Sequence, residues 1–303
     1  MAVTAALVKE LRELTGAGMM DCKKALVNTD GDIDKAVDWL RENGIMKAQK
    51  KAGRIAAEGL VRLAFNEDHT EAAIIEVNSE TDFVAKNEEF VEFVEGLANK
   101  VLEDGNVTMD EFMASAYEDG TVAEALTAKV AKIGENMSIR RFVKCAEEGV
   151  KYVGYIHGGG RIGVIVGLKT EADYAEVETC GKDVAMQVAS MSPKFVDETS
   201  VDPEYIESEK KILREAVINE GKPEAMADKI VAGKIKKELK EVCLTEQAFV
   251  KNNDLSVKGY VDGVAKEIGK DIQVVSMVRY EVGEGIEKKQ DDFAAEVAAQ
   301  MNA

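Results

Sequence analysis

The sequence predicts an α+β fold assembled from several modules, and three patterns carry that expectation. Residues 1–54 keep a helical period throughout, β-branched runs of period two follow Gly59 and return after Ser138, and residues 196–244 revert to helix alone. That order gives an N-terminal three-helix module, a two-part core with antiparallel sheets and an inserted antiparallel helical arm.

In the first module Leu7, Val8, Leu11 and Leu14 share one helical face, and Gly16-Ala17-Gly18 breaks the helix. A second helix is expected from Met20 to Asn28, followed by a turn, Thr29-Asp30-Gly31-Asp32, whose side chains can cap. Ala36, Val37 and Leu40 give a third helix its buried stripe, with Gly44 as its expected stop. Residues 1–54 hold 10 basic against 8 acidic side chains, net +2, whereas the rest of the chain carries −20. That charge step, with the basic run Lys47 to Arg54, places a domain boundary near residue 54.

The runs GLVRLAF and EAAIIEVNS flank a turn at Asn66 to Thr70 and read as an antiparallel hairpin. Helices are expected from about Glu88 to Glu103 and Thr121 to Ile133, so that residues 55–149 form a first core part. A second strand set comprises SIRRFVKCAE, VKYVGYIHGG and RIGVIVGLKT, and DVAMQVASM is helical up to Pro193. The second core part takes residues 150–195 and 245–283. Between its halves lies the arm, 196–244, with Ile206, Leu213 and Val217 on one helix and Met226, Ile230, Ile235 and Leu239 on the other. The turn Asn219 to Pro223 reverses the chain between them. After the arm come AFVKN, a helix from Val257 to Ile268 and the strand IQVVSMVRYEV. The C-terminal module, 284–303, carries an amphipathic helix from Asp291 to Gln300 that aligns Phe293, Val297 and Met301.

Composition narrows the function classes. With 39 basic against 57 acidic residues in 303, a net charge of −18, the chain repels phosphate backbones, and direct nucleic-acid binding is not expected. No apolar run reaches the roughly 20 residues that span a bilayer, and the opening residues read as an amphipathic helix rather than a presequence. Cys22, Cys145, Cys180 and Cys243 are far apart and the only histidines are His69 and His157, which fits a reducing compartment and no structural zinc. No GxSxG accompanies the His157-Gly158-Gly159-Gly160 run, and no Gly-Lys pair is followed by Ser or Thr. One GxGxxG occurs, at Gly158, Gly160 and Gly163, but GVIVGLKT follows it, so a strand-to-strand hairpin is the better reading.

Four ordered stretches then resemble the bacterial elongation factor Ts family, essentially end to end. They are LVKELRELTGAGMMDCKKAL at 7–26, EVNSETDFVAKN at 76–87, KIGENMSIRR at 132–141 with HGGGRIGV at 157–164, and RYEVGEGIEKKQDDFAAEVAAQ at 279–300. The region from Asn106 to Gly120 is longer than in the family's shorter members. The resemblance implies a ubiquitin-associated-like fold for residues 1–54 and a coiled-coil arm that self-associates or adds partner contact. It also implies a cytoplasmic guanine-nucleotide exchange factor for elongation factor Tu, which is no enzyme and needs no cofactor or metal. Such a factor binds the GDP-bound GTPase, promotes GDP release and is displaced after GTP binds.

On the same resemblance Thr81, Asp82, Phe83 and Val84 form the wedge at the partner's magnesium and phosphate site. Arg12, Met19 and Met20 contact its GTP-binding domain, and His157, Gly158, Arg161 and Gly163 approach a different domain. Local sequence alone reads otherwise: Phe83 as ordinary core, Asp82 as a helix cap for Asn87 onward, one of the two methionines as buried packing, and His157 as lacking the partner that a general base would need. A ubiquitin-associated-type adaptor and a nucleotide-binding enzyme using the Gly158 to Gly163 loop are the competing readings.

Overall fold

The computed structural model describes residues 3–221 and 223–287, so the expected tail helix, Asp291 to Gln300, lies outside the described residues. The chain combines runs of helices with small sheets, consistent with an α+β protein. Backbone contacts divide it into two units: one takes the described residues up to Val61, Ile75–Phe142 and those from Glu281, the other Arg62–Ile74 and Val143–Tyr280.

The first unit opens with α1 (Ala5–Thr15), α2 (Met19–Asn28) and α3 (Ile33–Lys51). Thr4 caps α1 by accepting from Leu7 N, Gly16 ends it in the left-handed region at φ 63°, and Asp32 caps α3 by accepting from Lys35 N. Leu11, Cys22, Ala25, Leu26 and Ala36 are fully buried between the three helices. Leu14 departs from the expected stripe: it sits in the last turn, beyond that seam, and is 65% exposed.

The chain then forms β1 (Glu58–Phe65) and β2 (Glu71–Ser79), a single turn α4 (Asp82–Ala85) and α5 (Glu88–Asp104). Phe90, Phe93, Val94, Leu97, Ala98 and Val101 give α5 one continuous buried stripe at helical spacing. Residues 106–120 hold α6 (Met109–Ala114), with a Thr108/Glu111 capping box, and the hairpin of β3 (Ala116–Tyr117) with β4 (Gly120–Thr121). Next come α7 (Val122–Ile133) and β5 (Met137–Ala146).

Two expectations are corrected in this unit. Gly44 does not stop α3: it is buried within the helix, and a Cβ there would stand 3.4 Å from Ala131 Cβ on α7. That distance is ordinary contact, so what carries the helix through Gly44 is its packing against its neighbours, which outweighs glycine's helix penalty of about 1 kcal/mol. The strand SIRRFVKCAE, grouped above with the second set, instead joins the first sheet, whose order is β1-β2-β5. Arg140 and Arg141 of β5 pair there with the buried Glu76 of β2.

The second unit contains β6 (Val150–His157), β7 (Ile162–Lys169), α8 (Tyr174–Met191), α9 (Pro203–Asn219), α10 (Glu224–Val242), β8 (Ala248–Phe249), β9 (Asn252–Ser256), α11 (Val257–Ile268) and β10 (Gln273–Glu281). Its sheet runs β10-β7-β6, with β6 and β7 antiparallel from Val150↔Lys169 to His157↔Ile162. Val177, Val184 and Val188 of α8 cover Val153, Val164, Val166 and Leu168. Gly181 makes that approach possible, because a Cβ there would stand 2.6 Å from Val153 Cβ and overlap its Cγ2. Gly181→Ala is therefore expected to destabilise by about 1–3 kcal/mol through overpacking, despite alanine's better helix propensity; urea denaturation checks it.

The arm is an antiparallel helical hairpin: Tyr205 near the start of α9 donates to Glu238 near the end of α10, while Arg214 pairs with Asp228. Val217, Ala227, Val231 and Ile235 form its buried seam, with Leu213, Ile230 and Leu239 beside them. Met226, expected on that seam, is 54% exposed, and its neighbour Ala227 takes the inward position about 100° round the helix. The arm's two ends meet where Phe195 and Cys243 bridge and Leu244 N donates to Phe195 O. Among the described residues no helix is long and apolar enough to cross a membrane.

Candidate functional site

The stretch from β2 to α5 makes a sharp projection. Ser79 ends β2 fully buried, Thr81 caps α4, and α4 has only four residues before Asn87 caps α5. One turn cannot hold itself against its nucleation cost, so this geometry depends on side chains that grip its ends. Thr81 N and Oγ1 both donate to Glu135, at 3.0 and 2.7 Å, and Ser79 Oγ donates to Thr81 O at 3.0 Å. At the far end Asn87 Oδ1 accepts from Glu89 N at 2.9 Å and Phe90 N at 3.4 Å. Asp82 therefore is not the cap of the following helix; Asn87 is.

Within the turn Val84 is 7% exposed and anchors it inward, while Phe83 is 81% exposed. Core packing is thus excluded for Phe83, since α4 directs the two side chains apart. An aromatic left in water keeps the roughly 1.5–3 kcal/mol that its burial would contribute, available to an interface. Asp82 carries a 2.6 Å ion pair to Lys86 one turn on, and the hydrogen bond from that ammonium holds its carboxyl below the usual range. It stays ionised beside Phe83, so the tip combines one apolar and one anionic group.

The N-terminal candidates belong to the same unit. Arg12 is exposed on α1; Met19 is 59% and Met20 63% exposed at the start of α2. Neither methionine is core, against the expectation for one of them: Cys22, Ala25 and Leu26 fill that seam instead. Two adjacent exposed thioethers suit adaptable apolar contact.

In the second unit His157, Gly158, Arg161 and Gly163 share the β6–β7 hairpin. Gly158, Gly159 and Gly160 lie at φ 59°, 69° and 114°, values that a side chain would strain, so the glycines serve a tight reversal. A strand enters and a strand leaves; with no helix N-terminus behind it, the loop is not a dinucleotide cradle. His157 is exposed, and its Nδ1 lies 3.0 Å from Tyr155 Oη. Gly163 is buried in β7, paired with Ile156.

Thiol chemistry has no foothold at these positions. Burial pushes Cys180 up to about 12 and Cys243 up to about 11, which keeps both protonated. What the projection offers is shape and charge for another macromolecule. Sequence reasoning passed over Glu80 and Glu135, although both fall in quoted motifs. The signal for Glu135 is Gly134, the left-handed cap of α7 at φ 93°, which turns the next side chain back toward β2.

Comparison with known proteins agrees along the whole length. A sequence profile described as "Elongation factor TS" matches residues 80–284. The curated "Elongation factor Ts" of Clostridioides difficile (strain 630) is 55% identical over 300 residues, covering 99% of this chain and 99% of that one. Those of Clostridium novyi (strain NT) and Clostridium tetani (strain Massachusetts / E88) are each 52% identical over 303 and 302 residues, again 99% of both.

Proposed function

Since the chain belongs to the elongation factor Ts family and is thereby a translation elongation factor, we propose that it is the guanine-nucleotide exchange factor of elongation factor Tu. It binds the GDP-bound GTPase and presses Asp82 and Phe83 against the elements around the magnesium and phosphate site. GDP then leaves, GTP enters, and the factor is displaced. The chain itself makes and breaks no bond.

The observation that carries this reading is Phe83, 81% exposed at the tip of a turn gripped at both ends. A mobile apolar tip would lose its insertion energy to ordering, whereas a pre-formed one delivers it to the partner. Phe83 fills an apolar pocket and shifts the elements that coordinate magnesium; the ionised Asp82 adds repulsion toward the diphosphate. Arg12, Met19 and Met20 hold the GTP-binding domain, and the His157 to Gly163 hairpin engages a different domain. The helical arm is free to self-associate or to add contact, and the protein works in the cytoplasm.

Linkage fixes the thermodynamics. A factor that weakens GDP binding must itself bind the GDP form more weakly than the empty form by the same factor. Calorimetric titration of elongation factor Tu, empty and GDP-loaded, is expected to show affinities differing by at least about tenfold, with the empty form tighter. Equal affinities would contradict an exchange role.

A further inference from the structure

The third motif, KIGENMSIRR, has no role in the mechanism above, yet it supplies the grip on the turn. We propose that Glu135 is a positioning residue that acts through Phe83, clamping the Thr81–Val84 turn in the conformation that displaces the partner's magnesium-site elements. This rests on the exchange-factor reading.

Both Glu135 oxygens are used on one residue, Thr81 N at 3.0 Å and Thr81 Oγ1 at 2.7 Å. The grip is reciprocal. Glu80 Oε1 accepts from Asn136 N at 2.5 Å, so each segment's carboxylate holds the other's backbone N–H. Asn136 Nδ2 in turn donates to Arg54 O at 2.7 Å, and Arg54 reaches Glu80 at 3.5 Å. Charge-assisted hydrogen bonds of this kind are about twice as strong as neutral ones and fix direction.

The platform behind the grip is itself held. Gly134 caps α7, and Met137, 4% exposed, starts β5, so Glu135 and Asn136 sit between two packed elements. From α7 Lys129 and Lys132 both reach Glu89 of α5 at 2.8 Å. The end of α7 thus grips the chain on both sides of Phe83, at Thr81 and at Glu89. Neither contact touches the exposed ring. Glu135 is half-buried beneath the turn, placed to set where Phe83 points rather than to meet the partner.

The test is a double-mutant cycle on GDP release from elongation factor Tu loaded with a fluorescent GDP, comparing wild type, Glu135→Ala, Phe83→Ala and the pair. Glu135→Ala is expected to lower the maximal release rate on the order of tenfold with little change in the half-saturating concentration. A generally loosened fold would move that concentration as well. In the Phe83→Ala background the same change is expected to have no further effect, because its target is gone. Additive losses, or a wild-type maximal rate for Glu135→Ala, overturn the proposal while the wedge stands. Full activity of Phe83→Ala instead sinks the wedge assignment on which the proposal rests, and a wild-type protein that leaves release at the spontaneous rate sinks the exchange reading beneath both. If Glu135→Ala lacks a cooperative thermal transition, the isosteric Glu135→Gln replaces it in the same cycle.

Discussion

Phe83→Ala is expected to fold with an unchanged thermal midpoint and to bind elongation factor Tu, yet to release GDP roughly 30-fold more slowly at saturation, or worse. Stability should not move, because a side chain 81% exposed contributes almost no burial to this fold, and alanine suits a one-turn helix at least as well. The rate should fall because interface aromatics seated in pockets carry about 2–4 kcal/mol each, and about 1.4 kcal/mol is a factor of ten. Binding survives through the other surfaces, so the loss concentrates in the maximal rate. Adding Asp82→Ala should deepen the loss and also remove the Lys86 ion pair, which on the exposed surface contributes little to folding. Stopped-flow release at several factor concentrations, beside a thermal melt, separates the two quantities.

The second large effect is on stability. Glu76→Ala is expected to destabilise by about 2–4 kcal/mol, because it removes a fully buried acceptor shared by two half-buried arginines, Asn78 and the Gly283 N–H. Glu76 is fully buried on β2 and accepts from Arg140 at 3.0 Å, Arg141 at 2.6 Å, Asn78 at 3.1 Å and Gly283 N at 2.8 Å. Arg141 also donates to Glu281 O at 3.2 Å, and Arg140 donates to Glu284 O, so one carboxylate organises β2, β5 and the segment after β10. Gly283 lies at φ 71° against Ala57 O, a position that only glycine fills, and its N–H thereby reaches the carboxylate. Burial alone would raise the Glu76 pKa, but the hydrogen bonds from Gly283, Arg141 and Asn78 outweigh it and hold the group below its usual 4.5. A depressed folded-state value means that the stabilisation is complete above pH 4.5 and is lost as pH falls through the lowered value. Urea midpoints measured from pH 6 downward should drop in wild type across that window, and Glu76→Gln should show less of that drop.

Local signals made the elements legible, and distant contacts settled what they do. α11 has the bounds that its spacing gives, Val257–Ile268, and the Asn66 to Thr70 reversal is a turn held by its own Asn and Thr side chains. Gly44 misled because propensity is local, whereas the packing that carries α3 through it, against Ala131 of α7, comes from far along the chain. The sheet membership of β5 was hidden for the same cause: a period-two run states that a strand exists, not which strand it joins. At the site the residues were legible only through the resemblance. A phenylalanine beside valine reads as core from its neighbours, and its exposure follows from a one-turn helix braced by Glu135. Met19 and Met20 likewise read as packing until the seam is filled by Cys22, Ala25 and Leu26.

The most direct measurement is the rate at which fluorescent GDP leaves elongation factor Tu, chased with excess GDP, when this protein is added well below stoichiometry. An exchange factor must turn over, so release of the entire GDP pool, accelerated by orders of magnitude at a dose far smaller than the GTPase, is the predicted result. Release that stays at the spontaneous rate, or that stops once one GDP has left per added molecule, would contradict it.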